Sequence, residues 1–349
     1  MELASLIEHY QAPLRTHYGS QITPAQEHAL AAIVNCRSER YGEMVLNCES
    51  CAQQQRRFHS CGHRSCPCCQ NHETTLWLQR QRQKLLPVAY FMVTFTLPYE
   101  LRALAWQHQT IVYNALFACA SSTLKDFGLN DKKLGASIGM TAVLHTHSRR
   151  LDYHPHLHVV VPGGCLDRQR RQWKKMNGNY LFNEFALAKV FRARLLDTLT
   201  SAGLSLSGKL PVKWVVHCKH VGKGQPALAY LSRYLYRGVI SEKNIVANHD
   251  GKVTFQYVDG NSGKIRTRTL EGEGFLWLLL QHVLPKGYRR TRDYGFLHGN
   301  AKRMLSLVQR VVGLFIEPED KQPRPPFTCP NCKAAMKIIA FIRPAWRSG

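Results

Sequence analysis

Apolar and polar positions change period several times along the chain, and each change predicts an element. Residues 1 to about 35 follow a helical pattern, in which Thr23-Pro24-Ala25-Gln26-Glu27 is set as a capped helix start with proline in the first turn. Beyond a cysteine-rich stretch from Cys36 to Cys69, the β-rich run Tyr90 to Leu97 stops at Pro98 and predicts the first core strand. Residues 100–127 read as helix. Ala136 to His147 is strand-like, and so is His154-Pro155-His156-Leu157-His158 running into Val159-Val160-Val161; Arg149-Arg150-Leu151-Asp152 between the two runs can make the turn. A loop at Gly163-Gly164, a helix over 184–202, a strand over 211–220 and a helical segment from Ala227 to Arg237 follow. Strands over 252–258 and 264–270 come next, and residues 273–315 are mainly helical. Interleaved helices around a central hairpin predict an α+β fold with antiparallel pairs, not a doubly wound parallel sheet.

The hairpin concentrates histidine. Alternate strand residues share a face, so His154, His156 and His158 project together. Folding about the turn sets His145 opposite His156 and His147 opposite His154, with paired Cβ atoms about 4.5–5.5 Å apart. Gathered imidazoles are ligands for a divalent metal. His145, His156 and His158 are the expected set, with His154 in reserve. A lone strand histidine is ordinarily packed or solvated, whereas five on one predicted hairpin face need a reason.

Composition then points to a partner. The 349 residues, 44% of them hydrophobic, can bury a proper core, and 47 Lys plus Arg against 23 Asp plus Glu leave a net charge of +24. Such an excess calls for a polyanion, most commonly nucleic acid. Trp173-Lys174-Lys175, Tyr234 to Arg237 and Lys286 to Tyr294 mix ring faces with cations, a combination suited to single strands. Lys286, Arg289, Arg290, Arg233 and Arg237 are the expected phosphate contacts. No run of eighteen apolar residues and no secretory leader pattern occur, so the expected location is the cytoplasm, without a membrane. In a reducing compartment paired cysteines are metal ligands before they are disulfides. Cys48-x2-Cys51 and Cys66-x2-Cys69, fourteen residues apart, predict one structural Zn²⁺ site, and Cys36, Cys61 and His63 are candidates for a second. The expected organisation is a helical and zinc-binding module (1–85), a central catalytic domain (86–272), a helical segment (273–316), and a linker with a cysteine-bearing tail (317–349). Glu317 to Pro326 is the clearest linker.

In the 227–237 segment Tyr230 and Tyr234 lie four apart and share a helix face, as do Arg233 and Arg237, while Tyr236 points elsewhere. A phenol with a pKa of about 10 is a poor nucleophile. Beside a metal that polarises a phosphate it can attack phosphorus. The plainer reading is an amphipathic helix burying tyrosines.

Taken together, the chain resembles the HUH-type rolling-circle transposases of the insertion-sequence-91 family, relatives of the two-tyrosine replication initiators. The resemblance runs from about Cys36 to Phe341. It rests on Cys61-x4-Cys66-Pro67-x-Cys69-Gln70, Phe95-Thr96-Leu97-Pro98, Val143-Leu144-His145-Thr146 leading to His154-Pro155-His156-Leu157-His158, Tyr230-Leu231-Ser232-Arg233-Tyr234, His282-Val283-Leu284-Pro285-Lys286-Gly287-Tyr288 and Tyr294-Gly295-Phe296-Leu297. It implies an HUH endonuclease-type antiparallel sheet with flanking helices and a small N-terminal zinc-binding module. His156 and His158 become metal ligands by family pattern, and Tyr230 and Tyr234 become nucleophiles that hold the 5′ end of cleaved single-stranded DNA. It also implies Mg²⁺ or Mn²⁺ at the histidines, although imidazole-rich sites favour softer ions such as Zn²⁺. The implied partners are single-stranded DNA at element ends and target, and host replication machinery or a helicase at the nucleoid, since the chain has no G-x4-G-K-[ST] loop. Two positions depart from the pattern: Cys68 replaces a usual basic residue, and Tyr236, near where many members have histidine, adds a third phenol. Cys329-x2-Cys332 resembles the family's terminal knuckle, but no second pair follows it, which makes it half a zinc site or a remnant. Two other readings compete, a zinc-dependent DNA-binding regulator, which leaves the histidines idle, and a plasmid-type replication initiator, against which the motifs at 282–297 argue.

Overall fold

The structure is a computed structural model and describes residues 2–131, 134–176, 181–206, 208–224, 226, 228–229, 239–260, 262–314 and 326–344; side chains of 70–74 are not described. The chain opens with helices α1 (Leu3–Tyr18) and α2 (Pro24–Val34), then strands β1 (Glu43–Cys48) and β2 (Gln54–Phe58) and helix α3 (Gln70–Arg82). Strand β3 (Ala89–Thr96), helices α4 (Arg102–Gln107) and α5 (Gln109–Asn130), and the hairpin β4 (Met140–His147) and β5 (Tyr153–Pro162) follow. Next come β6 (Gly164–Asp167), β7 (Gln172–Lys175), α6 (Glu184–Ser201) and β8 (Val216–Lys223). The chain continues with β9 (Ile245–His249), β10 (Lys252–Val258), β11 (Ile265–Glu271), α7 (Gly272–Leu280), β12 (Thr291–Tyr294), α8 (Lys302–Val311), β13 (Phe327–Thr328) and β14 (Ala335–Ile342).

Local chemistry fixes the expected starts. At α2 the Thr23 hydroxyl accepts from Gln26 N–H while the Gln26 side chain accepts from Thr23 N–H, a reciprocal capping box that satisfies two orphan donors. At α6 the Asn183 side chain accepts from Ala186 N–H at 2.9 Å.

The fold is α+β, and its main sheet is antiparallel throughout, in the order β12-β4-β5-β3-β8. β5 is the central strand. One face is continuous and apolar: Phe91, Val93 and Phe95 of β3 and Leu157, Val159 and Val161 of β5 pack on Leu116 and Phe117 of α5 and Phe191 and Leu195 of α6. The Phe95 and Phe191 ring centroids lie 4.8 Å apart. Each such fully buried side chain contributes about 1.5–3 kcal/mol of transfer free energy. The opposite face divides. Tyr90, Val143 and Val160 pack beneath Trp77 of α3, Phe296, Leu297 and Val308 of α8, and at the other end imidazoles occupy the corresponding positions.

A second core joins α1, α2 and α7 to the sheet β11-β10-β9. There α1 and α7 approach so closely at Gly272 that a Cβ would lie 2.3 Å from the Tyr10 ring. A third sheet has the order β13-β14-β1-β2, so the tail expected as a separate unit supplies two strands to the N-terminal module.

Several elements differ from expectation. The Gly163-Gly164 region opens into the β6–β7 hairpin, the strand expected over 211–220 begins only at Val216, and the segment expected to be mainly helical contains the edge strand β12. The cysteine-rich stretch holds the β1–β2 hairpin. Residues 317–325 of the linker, and Tyr230, Arg233, Tyr234, Tyr236 and Arg237, lie outside the described residues. Among the described residues no helix is long and apolar enough to cross a membrane.

Candidate functional site

The β4–β5 hairpin turns at Ser148–Asp152, where the Ser148 hydroxyl accepts from the N–H groups of Arg150 and Asp152. His145 pairs with His156, as the hairpin reading requires. The register then slips by one residue, so His147 stands opposite Tyr153 and not His154, which corrects that expectation. A bulge of this kind adds a residue to one strand and re-aims its side chains.

Beyond the slip, His145, His156 and His158 converge. Each offers a ligand atom, and those atoms lie within 4.8 Å of one another. Ring centroids are 4.4 Å apart for His145 and His158, 4.9 Å for His156 and His158, and 5.2 Å for His145 and His156. His145 and His158 are buried, at 5% and 9% exposure. The neighbouring strand helps to orient the rings: Thr94 on β3 is the register partner of His158, and its hydroxyl lies 3.1 Å from His158 Nδ1. His156 Nδ1 lies 2.7 Å from the carbonyl oxygen of His154, to which it donates, so Nε2 carries the free lone pair. Hydrogen bonds of this sort hold the tautomer and plane of a ligating imidazole.

Burial keeps all three rings neutral. It pulls His156 down to about 4 and His158 to about 3, and it holds His145 well below the ordinary imidazole value with added repulsion from the other two rings. A metal needs neutral imidazole, so the donor set fits a divalent cation near neutral pH. His154, the reserve candidate, is not in the group. Its Nδ1 is engaged by the Arg102 guanidinium, and burial followed by charge repulsion brings its pKa to about 4.

Two further histidines stand beside this centre, the half-buried His147 and the buried His282, and the sequence reading assigned neither to the metal. His147 and His282 face each other with ring centroids 5.2 Å apart, and His282 Nε2 lies 2.9 Å from the carbonyl oxygen of Leu151. Leu151 holds a left-handed backbone (φ 69°), so this bond anchors the strained residue of the hairpin turn. The signal available in sequence was a histidine within the apolar run Phe275 to Leu284.

The cysteines assemble otherwise than their spacing suggests. Cys66 and Cys69 join Cys36 and Cys61, while Cys48 and Cys51 join Cys329 and Cys332. The pairs expected to share one ion are therefore separated. β2 occupies much of the fourteen-residue spacer, which sends the chain from the hairpin turn at Cys48–Cys51 back to the open end near Cys61, about 17 Å for five residues of strand. In the first cluster Cys69 Sγ lies 3.5 Å from both Cys36 Sγ and Cys61 Sγ, close to the roughly 3.8 Å edge of a tetrahedron with Zn–S bonds of about 2.3 Å. Burial pushes the Cys36 thiol up to about 12, so a bound cation would be needed to favour its thiolate near neutral pH. His63 is outside this group. Its ring packs edge-on to His28 at 5.2 Å, and its Nδ1 accepts from Ser65 N–H.

Lys286, Arg289 and Arg290 line one open cleft of about 1460 Å³, together with Arg64, His63 and Trp106. Arg64 Nη1 donates to the carbonyl oxygen of Tyr288 at 2.7 Å, which ties the loop of the first cysteine cluster to the segment carrying those cations. Tyr288, expected as a stacking face, is buried instead, with its ring edge-on to Tyr113. Trp173 likewise packs on Phe296, and Lys174 pairs with Asp167.

Two family models match the chain: one described as "Putative transposase" over residues 139–304 and one described as "Transposase zinc-binding domain" over residues 6–97. The chain is 34% identical over 333 residues to "Putative transposase y4qJ" of Sinorhizobium fredii (strain NBRC 101917 / NGR234), covering 88% of this chain and 83% of that protein. It is 28% identical over 268 residues to the transposase for insertion sequence element IS801 of Pseudomonas savastanoi pv. phaseolicola, covering 71% and 64%. No solved structure matches. Sheet-borne histidines, thiolate clusters and these likenesses define a transposase with a zinc-binding N-terminal domain. The chain belongs to the insertion-sequence-91 family of transposases.

Proposed function

We propose that this transposase is an HUH-type endonuclease and strand transferase that cuts and rejoins single-stranded DNA at element ends through a 5′-phosphotyrosine, supporting rolling-circle transposition. The observation that carries the reading is the convergence of His145, His156 and His158 at the centre of a five-stranded antiparallel sheet. Mg²⁺ or Mn²⁺, when bound there, would polarise the scissile phosphate, although the all-imidazole donor set also suits softer ions.

The remaining work belongs to the chain. Neutral rings held by Thr94 and by the His154 carbonyl present lone pairs without reorganisation. The oxygen of Tyr230 or Tyr234 attacks phosphorus as the bond to the departing 3′ oxygen breaks. The phenolic proton goes to solvent, and the products are a 3′ hydroxyl and a tyrosine-linked 5′ phosphate. The second tyrosine cleaves at the other end or at the target, and attack by a 3′ hydroxyl on a phosphotyrosine rejoins strands with no nucleoside triphosphate. Lys286, Arg289 and Arg290 along the cleft, with Arg233 and Arg237 of the tyrosine segment, neutralise the DNA backbone. Cys36, Cys61, Cys66 and Cys69 would hold Zn²⁺, which when bound would fix the loop that carries Arg64. Strand opening falls to host replication or a helicase, in the cytoplasm at the nucleoid.

The test is incubation of purified protein with labelled single-stranded oligonucleotides from its own element ends, with Mn²⁺ or Mg²⁺, followed by denaturing electrophoresis. A metal-dependent covalent adduct is expected, absent from His156→Ala and from the Tyr230→Phe/Tyr234→Phe double variant. DNA binding without an adduct under either metal would overturn the nuclease reading in favour of a regulator.

A further inference from the structure

Cys48, Cys51, Cys329 and Cys332 form the second four-sulfur group, and no part of the transposition chemistry uses it. Its halves come from opposite ends of the chain: Cys48 Sγ lies 3.4 Å from Cys332 Sγ and Cys51 Sγ 3.6 Å from Cys329 Sγ, across separations of 284 and 278 residues. These distances are far beyond a disulfide bond of about 2.0 Å and near the roughly 3.8 Å edge of a zinc tetrathiolate.

The two halves are built alike. In each, the N–H of the residue after the second cysteine donates to the carbonyl of the first: Ala52 to Cys48 at 2.8 Å, and Lys333 to Cys329 at 3.0 Å. In each, the N–H of the first cysteine donates to the carbonyl two residues past the second: Cys48 to Gln53 at 2.9 Å, and Cys329 to Ala334 at 2.8 Å. Ala52 and Lys333 both hold left-handed backbones, φ 56° and 62°, a conformation unfavourable for residues with a Cβ. Two matched turns of this strained shape, face to face, present four sulfurs toward one point.

Packing alone is a poor anchor for the tail. β14 buries only Met336, while Ile338, Ile339, Phe341 and Ile342 stay 41–67% exposed, and the local core beneath is Leu46, Cys48, Cys329 and Met336. Cores this small ordinarily need a metal or a covalent tie.

We propose that these four thiolates bind a second Zn²⁺, separate from the ion of the first cluster, which staples the C-terminal tail into the N-terminal sheet and so joins the two ends of the chain. The matched zinc-binding family model covers residues 6–97 and so reaches only half of this ligand set. Zinc binding, not sheet pairing, holds β13 and β14 in place.

Zinc content per full-length chain, measured by plasma mass spectrometry, tests this. With His145→Ala/His156→Ala as the common background, so that zinc on the histidines is not counted, the chain with all its cysteines should hold two ions. Cys48→Ser/Cys51→Ser and Cys329→Ser/Cys332→Ser should each lose one, and the variant lacking all four should lose that same one and no more. Limited proteolysis should cut after residue 326 equally in all three. Cys36→Ser/Cys61→Ser reports the first cluster independently, so failure there would not be read as failure here. Should a variant not fold, alkylation of wild type during stepwise chelation substitutes for it: Cys48, Cys51, Cys329 and Cys332 should become reactive together. Unchanged zinc content in Cys329→Ser/Cys332→Ser, loss of a further ion when the pairs are combined, or free alkylation of Cys329 and Cys332 in zinc-loaded protein would overturn the proposal.

Discussion

Replacing Thr94 by Val isolates the orientation of one imidazole. The two side chains are close in shape, so the change deletes a hydroxyl 3.1 Å from His158 Nδ1 and adds a methyl group. With Nε2 of His158 turned to an ion, Nδ1 carries the proton and donates to that hydroxyl. His158 is only 9% exposed, which leaves little room for water to replace the lost acceptor. Removing one partner of a buried hydrogen bond costs about 1–3 kcal/mol. Loss of an outer hydrogen bond to a ligating histidine typically weakens metal binding by about 10–100-fold, or roughly 1.4–2.7 kcal/mol, and the two ranges agree. Isothermal titration of Mn²⁺ into wild type, Thr94→Val and Thr94→Ser is the assay. The serine variant keeps the hydroxyl and should bind within a few-fold of wild type, while valine should fall into the weakened range. If Thr94→Val loses stability but binds Mn²⁺ as wild type does, then Thr94 supports the sheet and not the ligand, and the argument fails.

Two further outcomes follow from charges placed by the fold. Burial holds His282 at about 4 against about 6.5 in the unfolded chain, so the unfolded state takes the proton first; its contribution is full above about 6.5 and is lost as pH falls toward 4, about 3 kcal/mol in all. His282→Gln should therefore flatten the pH dependence of urea-unfolding stability over that window by close to one proton, and an unchanged slope relative to wild type would contradict it. Lys286 and Arg289 are exposed along the cleft, so each change to Gln should lower the salt-dependence slope of single-strand binding by about 0.7, read by fluorescence anisotropy, whereas an unaltered slope would place the DNA elsewhere.

The hairpin was legible because its signals were local. Alternation along His154 to His158 and a polar turn at Arg149–Asp152 were enough to pair His145 with His156. His147 was misplaced because a one-residue slip leaves no mark in a period-two pattern. The slip accompanies the left-handed Leu151, a leucine where glycine would have advertised the conformation. β2 was invisible for a different reason: Gln54-Gln55-Arg56-Arg57-Phe58 has no apolar face, and its strand state comes from pairing with β1 at the sheet edge. Without that strand, the spacing of the cysteine pairs reads as one site. The partners of Cys48 and Cys51 lie 284 and 278 residues further along the chain, and no local rule reaches that far. Tyr288 shows the opposite error. Its basic neighbours suggested a base-stacking face, yet Asn114 and Tyr113 hold it inside.

The segment from His282 to Tyr294 explains how charge and structure coexist in one short stretch. His282 reaches the hairpin turn through the Leu151 carbonyl, the Arg290 carbonyl accepts from Leu144 N–H, and Thr291 to Tyr294 pair along β4, the strand that carries His145. From the other side, Arg64 in the first cysteine loop holds the Tyr288 carbonyl. The inward residues thus lock the segment between zinc module and histidine strand, while Lys286 and Arg289 face the cleft. The Arg290 charge adds to the burial that keeps His145, His147 and His282 neutral, so a cation that lines the open cleft also favours, at His145, the protonation state a metal requires. Backbone bonds, not side-chain contacts, carry most of this connection, which places the cations relative to the histidine centre with little freedom to drift.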